Sequence, residues 1–336
     1  MTLFNYFIVC SPFQLINATE AREYYNIPDN KCVLVILNLY GKTNYNQIIS
    51  VLEDYIWTNV HKLSFNSRSN KLTFPFKLRK LVSIYKGVKL NKLFVGEYFA
   101  YEIRALANII AYKEIILFDD GNAAIRTINY LSLGRKKPST FSFQTLRKLY
   151  YQLSGLKVFE YASITIFTAY ADLYNYLTAV KIVKNSYAYS RSLNRKKEIS
   201  SEIFFLGTKF VERGLIDLEN YTEYLKRAIT YLEKRFNGNV LYVPHRGENK
   251  EKIEYLKKKK NIKIKTVTTS IELYLLKSSQ NPMLVSTFSS SAIFSLEFIF
   301  GDDMNKKCFQ LTLKKGLVSK SYNEYRKLGI EVIEQY

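Results

Sequence analysis

His245 is one of only two histidines in a chain of 336 residues, and it stands beside Arg246, Gly247 and Glu248. A histidine can donate to a phosphate oxygen or protonate a leaving group, and an arginine can hold a phosphate or carboxylate through two parallel N–H bonds. Glu248 could orient either one, bind ribose hydroxyls, or serve as the favourable first-turn acid of a following helix. A second group is Asp119, Asp120 and Gly121, which close an apolar run. Adjacent carboxyls suit metal binding or a general base with a supporting partner, and burial beside a like charge raises one pKa toward neutrality. The same residues also suit an Asp-Gly turn with a helix cap. A third group is Thr287, Ser289, Ser290 and Ser291 around Phe288. One serine is enough to cap a helix; four hydroxyl residues favour a phosphate cradle of capped turn and open N–H groups.

These residues need elements to position them. His245 follows the β-branched run Asn239–Val243 and precedes a charged helical pattern over 248–260, so it sits at a strand end, where open α/β sheets bind ligands. Asp119 ends a strand-like run from Glu114, and the serines follow one from Pro282. At the start of the chain, a buried strand ends in Cys10, Ser11 is an N-cap, Pro12 the first helical residue, and Gln14 lies in the first turn. Further strands begin at Cys32, Asn91 and Ala162, with helices over 100–111 and 143–153. A polar, tyrosine- and lysine-rich stretch reads as a linker, which places a boundary within 185–200. The alternation restarts with strands from Glu202, Asn239, Asn261, Pro282 and Lys307 and helices over 216–236, 248–260 and 270–277. The expectation is an α/β chain of two Rossmann-like domains, 1–190 and 191–336, in the GT-B architecture, with an active site in the cleft between them.

Composition narrows the function. Cys10, Cys32 and Cys308 have neither metal-ligand nor disulfide spacing, and with two histidines no protein metal site is predicted. The longest membrane-span candidate, 93–112, is interrupted by Glu97, Glu102 and Arg104, and the first ten residues lack a basic leader. A cytoplasmic protein is expected, soluble or peripheral on the inner face of the membrane. The net charge is +21 with lysines scattered along the chain. No helix-turn-helix, zinc finger or RNA-binding signature accompanies it, so nucleic acid is not an expected partner. An anionic inner-membrane surface or acidic substrates also select a basic face, as does lysine-rich coding, and a homodimer is left open. A Walker loop, a GxGxxG turn and a GxSxG elbow are all missing, which weakens kinase, dehydrogenase and hydrolase readings. Two anion sites in the second half imply a nucleotide donor there, with the acids of the first half serving an acceptor.

At these residues the chain resembles the bacterial sialyltransferases of glycosyltransferase family 52. The likeness runs over most of the length: CSPFQLINATEA from Cys10, FDDG from Phe118, FLGTKFVERGLI from Phe205, LYVPHRGE from Leu241 and STFSSSA from Ser286. The family's two-acids-then-glycine motif matches Asp119, Asp120 and Gly121, and its serine motif matches Ser289, Ser290 and Ser291. Its frequent His-Pro is departed from, since Pro244 precedes His245 and Arg246 follows it. The resemblance implies inverting transfer from CMP-sialic acid, without metal or cofactor, to a terminal sugar hydroxyl such as galactose on a capsule or lipooligosaccharide glycan. It implies Asp119 as base with Asp120 as support or alternate. His245 would be catalytic at the leaving phosphate, Arg246, Gly247, Glu248, Thr287 and the three serines would hold the donor, and Ser11, Pro12, Gln14 and Gly121 would belong to the acceptor side or its loop. The alternatives are another glycosyltransferase of this fold, with a different nonulosonic acid or glucose as donor, and a basic nucleic-acid-binding protein.

Overall fold

A computed structural model describes residues 3–64, 67–84, 89–109, 112–120, 127–128, 130–131, 149–156, 164–174, 180–194, 197–313 and 321–336. The chain divides into two compact units, Met1–Tyr189 and Ser190–Tyr336.

The first unit alternates strand and helix from its start: β1 Leu3–Val9, α1 Pro12–Tyr24, β2 Cys32–Asn38, α2 Lys42–Leu52, β3 Val60–Ser64 and α3 Arg68–Ile84. It continues with β4 Lys89–Val95, α4 Tyr101–Ile109, β5 Glu114–Phe118, β6 Thr165–Thr168 and β7 Lys181–Lys184. Parallel neighbours cannot be joined by a tight turn, so the helices serve as crossovers. Every strand pair in the order β3-β2-β1-β4-β5-β6-β7 is parallel. All seven residues of β2 are buried, as a sheet covered on both faces requires. Phe7 stacks on Phe94 at 4.2 Å and takes Trp57 edge-on at 5.1 Å, joining β1, β4 and the segment after α2. The strand order reverses between β1 and β4, which makes their C-terminal ends the expected ligand crevice of this unit.

α5 Ala188–Asn194 leads into the second unit: β8 Glu198–Leu206, α6 Leu218–Phe236, β9 Asn239–Val243, α7 Lys250–Lys257, β10 Lys263–Ile264 and α8 Ile271–Lys277. It closes with β11 Gln280–Thr287, α9 Ala292–Phe300, β12 Asn305–Phe309, α10 Ser321–Lys327 and β13 Glu331–Ile333. Its order, β10-β9-β8-β11-β12-β13, is again all parallel, with the reversal between β8 and β11. α6 shows why these elements form. Asp217 caps it by accepting from the Asn220 N–H at 2.8 Å, and Asn237 ends it in a left-handed conformation at φ 50°. Between them Tyr221, Leu225, Ala228, Ile229 and Leu232 recur at helical spacing and bury against Phe205, Tyr242 and Phe288.

Three expectations change. The stretch read as a linker is folded, because Asn185 and Tyr187 are buried and both bond Asn17 of α1, at 2.9 and 2.7 Å. β8 starts at Glu198 rather than Glu202, paired along β11 from Gln280. The helix after His245 starts at Lys250, capped by Asn249, because Glu248 is drawn inward. Gly121 and residues 143–148 lie outside the described residues.

Candidate active site

In the first unit the predicted residues meet at the end of β1, β4 and β5. Ser11 caps α1 by accepting from the Gln14 N–H at 3.2 Å, and Pro12 stands at the helix start, as the sequence predicts. The Ser11 hydroxyl also donates to Asp120 Oδ1 at 3.4 Å. Gln14 is fully buried, and its Oε1 accepts from the Cys10 N–H at 2.7 Å. Its Nε2 lacks a partner of good hydrogen-bond geometry yet lies close enough to Asp120 to favour the carboxylate. Gly96, at the end of β4, makes room for this side chain, since a Cβ there would sit 2.5 Å from Gln14 Cδ. Glu97 follows, accepts from the Tyr40 hydroxyl at 3.3 Å, and faces Asp120.

The two aspartates occupy different environments. Asp119 is 2% exposed, and its Oδ2 accepts from the Ala169 N–H at 2.8 Å, so it holds the end of β6. Burial pushes its pKa up to about 7 against the hydrogen bonds from Thr168 and Ala169. Asp120 is half-buried and faces Ser11, Gln14 and Glu97. Burial first, and then the negative charge of Glu97, raises it to about 7, while Gln14 and Ser11 pull it down. A carboxyl held near neutrality at a ligand crevice is suited to taking a proton from a hydroxyl. Sequence reasoning missed Glu97, Gly96 and Tyr40, because each lies far in sequence from the acidic pair.

In the second unit Glu248 is the keystone of the His245 loop. Its side chain is fully buried. One oxygen accepts from the His245 backbone N–H at 2.8 Å, and the other accepts from the Tyr242 hydroxyl at 2.8 Å and lies 3.2 Å from Lys252 Nζ. Both oxygens bond within the protein, an arrangement that fits the orienting role among those open to Glu248. Gly207 leaves the space, since a Cβ there would collide with Glu248 and Tyr242. Lys252 is 1% exposed, donates to the Thr208 carbonyl at 2.8 Å, and lies 3.9 Å from the Tyr221 ring centre.

His245 is oriented by its own loop. The Gly247 N–H donates to Nδ1 at 2.9 Å, so in the neutral ring the proton is on Nε2. Burial, followed by the charges of Arg246, Lys209, Arg213 and Lys252, lowers its pKa to about 4. The positive field that disfavours a proton here favours an anion. Lys209 lies over Gly247, where a Cβ would come within 2.6 Å of its Cδ. Lys209 and Arg213 were not singled out from sequence; their signal is the Lys-Phe-Val-Glu-Arg spacing just after β8. With only two histidines, the ring is open to nitrogen-edited NMR. His245 should show an Nε2–H neutral tautomer and titrate near 4, and a saturating phosphate anion should move the midpoint upward. A midpoint at the ordinary value of about 6.5, unmoved by phosphate, would remove the cationic anion site.

The serine loop lies at the β8/β11 reversal. Thr287 is fully buried and donates to the Leu206 carbonyl at 2.9 Å. It ties β11 to β8, and its hydroxyl proton is committed to that bond. Ser290 and Ser291 turn the chain into α9: Ala292 N–H donates to Ser290 Oγ at 3.3 Å, and Ile293 and Phe294 N–H to the two serine carbonyls at 3.2 Å each. The Tyr325 hydroxyl fixes the loop from behind, donating to the Ser290 carbonyl at 3.0 Å. An anion here would use the serine hydroxyls or displace these long bonds. No group of three or more His, Cys, Asp or Glu placed to hold a metal occurs among the described residues.

The sequence matches no family model and no curated protein. The structure does match others. The UDP-GlcNAc 2-epimerase of Methanocaldococcus jannaschii aligns over 99% of this chain and 89% of its own, with a TM-score of 0.55 and 10% identity. In its complex with UDP-GlcNAc and UDP the same epimerase aligns over the same shares with a TM-score of 0.52 and 12% identity. The GT-B domain of a Photobacterium damselae sialyltransferase aligns over 98% of this chain and 95% of its own, with a TM-score of 0.48 and 14% identity. Two all-parallel Rossmann-like units, and an epimerase likeness spanning nearly the whole chain, establish the fold of this protein as GT-B.

Proposed function

We propose that this protein is an inverting glycosyltransferase that moves sialic acid from CMP-sialic acid to a sugar hydroxyl of a surface glycan. The observation that carries the reading is Asp120, a carboxyl poised near neutral pH at the ligand crevice of its unit. In this reading Asp120 takes the proton of the acceptor hydroxyl. The acceptor oxygen attacks the anomeric carbon, the bond to the CMP phosphate breaks, and CMP leaves with the electron pair. Arg246, Lys209 and the Nε2–H of His245 offset the charge that develops on the phosphate. The resemblance of the acidic, histidine and serine segments to those of the family 52 enzymes, in order along the chain, supports CMP-sialic acid as donor. Asp120 replaces Asp119 as the proposed base because Asp119 is spent on Ala169.

A second reading follows from the fold: an epimerase of a UDP-sugar, as the names of the M. jannaschii structures state for that protein. Incubation with CMP-sialic acid and a galactoside, against UDP-GlcNAc with and without acceptor, separates the two. Transfer with release of CMP is expected, and unchanged in EDTA. Turnover of UDP-sugars alone would overturn the sialyltransferase reading, and loss in EDTA would overturn its metal-free form.

A further inference from the structure

The lysines are scattered through the sequence, but the acids are not. Residues 55–96 hold nine Lys and Arg and no Asp or Glu, and residues 121–159 hold seven and none. Nine and seven make sixteen of the net +21, leaving +5 to all the rest of the chain. The excess charge is therefore a property of two segments of the first unit.

Two helical pieces of these segments pack on each other. The Tyr150 hydroxyl donates to the Leu72 carbonyl, Tyr151 meets Phe74 edge-on at 6.5 Å, and Arg79 of α3 lies against Gly155. α3 buries Phe74, Leu78 and Leu81 inward. Outward it carries Leu72 and Phe76, each 62% exposed and four residues apart, while the helical turns at 149–153 carry Leu149 and Leu153, 51% and 80% exposed, at the same spacing. Arg79 and Lys80 are exposed beside them. Single exposed leucines are ordinary; pairs at helical spacing on adjoining helices, within acid-free sequence, mark a surface made to be covered.

The chemistry selects what covers it. A nucleic acid would pair with the cations but offers no apolar phase for Phe76 or Leu153. A second copy across a two-fold contact would bring the same positive charge against itself. An anionic bilayer offers both, phosphates for the cations and an acyl boundary for the apolar side chains. We propose that α3 and the helical turns at 149–153 form a surface that binds an anionic lipid bilayer. It is an in-plane contact: no helix among the described residues is long and apolar enough to cross a membrane.

The test uses the full chain and vesicles of phosphatidylcholine, alone or with phosphatidylglycerol. Sedimentation with the anionic vesicles only, weakened by salt, is expected. Phe76→Ser with Leu153→Ser should reduce binding about tenfold or more, with melting temperature and gel-filtration volume unchanged. Lys80→Glu, a surface change that leaves the apolar side chains in place, should weaken binding in the same direction. The proposal is overturned if the parent ignores anionic vesicles, if the double variant and Lys80→Glu bind them as the parent does, or if the double variant changes oligomeric state, which would make the face a contact between copies. Binding of duplex DNA in preference to the vesicles would also overturn it.

Discussion

Asp120→Asn should lower sugar transfer by about 10²–10⁴-fold, the usual contribution of a positioned general base. Because the proposed role of Asp120 is to take the acceptor proton, the KM for donor should barely move. A base acts in its deprotonated form, so the rate should rise with pH through about 7. Glu97→Gln removes the negative charge that, after burial, does most to raise Asp120, and should move that limb to lower pH. The substitution is not expected to act through folding. The folded value of Asp120 lies above the unfolded one, so this group favours the fold below about pH 4 and loses that contribution as pH rises through the folded value. At pH 8 the asparagine variant has no such contribution left to lose, and its melting temperature should not fall below the parent's. Asp119→Asn is the control. It keeps an acceptor for the Ala169 N–H and should retain far more activity. Kinetics showing the reverse order, with both variants folded, would restore Asp119 as the base.

Glu248→Ala should destabilise the second unit by about 3–5 kcal/mol, because it breaks a buried ion pair from one side. Burial pushes Glu248 up and Lys252 down, and the attraction between them opposes both. Without the carboxylate, Lys252 keeps the Thr208 carbonyl, the Tyr221 ring and the more distant Glu212 carboxylate at 3.8 Å, but loses its nearest counter-charge. The His245 N–H and the Tyr242 hydroxyl lose their acceptor in the same step. Glu248→Gln preserves an acceptor and should cost less. Urea unfolding of both variants measures the difference; an alanine variant as stable as the parent would show that the network contributes little. CMP affinity should fall along with stability in Glu248→Ala, since the released loop no longer fixes the His245 ring.

Much of the architecture was legible in the order of apolar runs. β1, β2, β4, β5, β9 and β11 announce themselves as short buried stretches, because a parallel sheet covered on both faces needs continuous apolar strands. β3 did not, since Val60–Ser64 is a half-buried edge strand with a histidine and a lysine in it. α3 carries Pro75 in its interior, which argues against a helix locally, and only the packing of Phe74, Leu78 and Leu81 overrides it. The polar stretch before residue 200 looked like a linker because its buried groups, Asn185 and Tyr187, are satisfied by Asn17, more than 160 residues away.

The sequence by itself determined the residue types at the strand ends: the acidic pair, the histidine with its arginine, and the serine loop after β11. Strand periodicity and local capping are short-range physics, so those positions can be read without the fold. Only the tertiary structure decided how each is used. It turned Asp119, Glu248 and Thr287 inward, because each found a buried donor or acceptor on another element. It left Asp120 at the crevice and brought Glu97 to it, and it gathered Lys209 and Arg213 around His245. Burial and electrostatic neighbourhood depend on contacts across tens of residues, and they, rather than residue identity, separate a candidate base from a structural carboxylate.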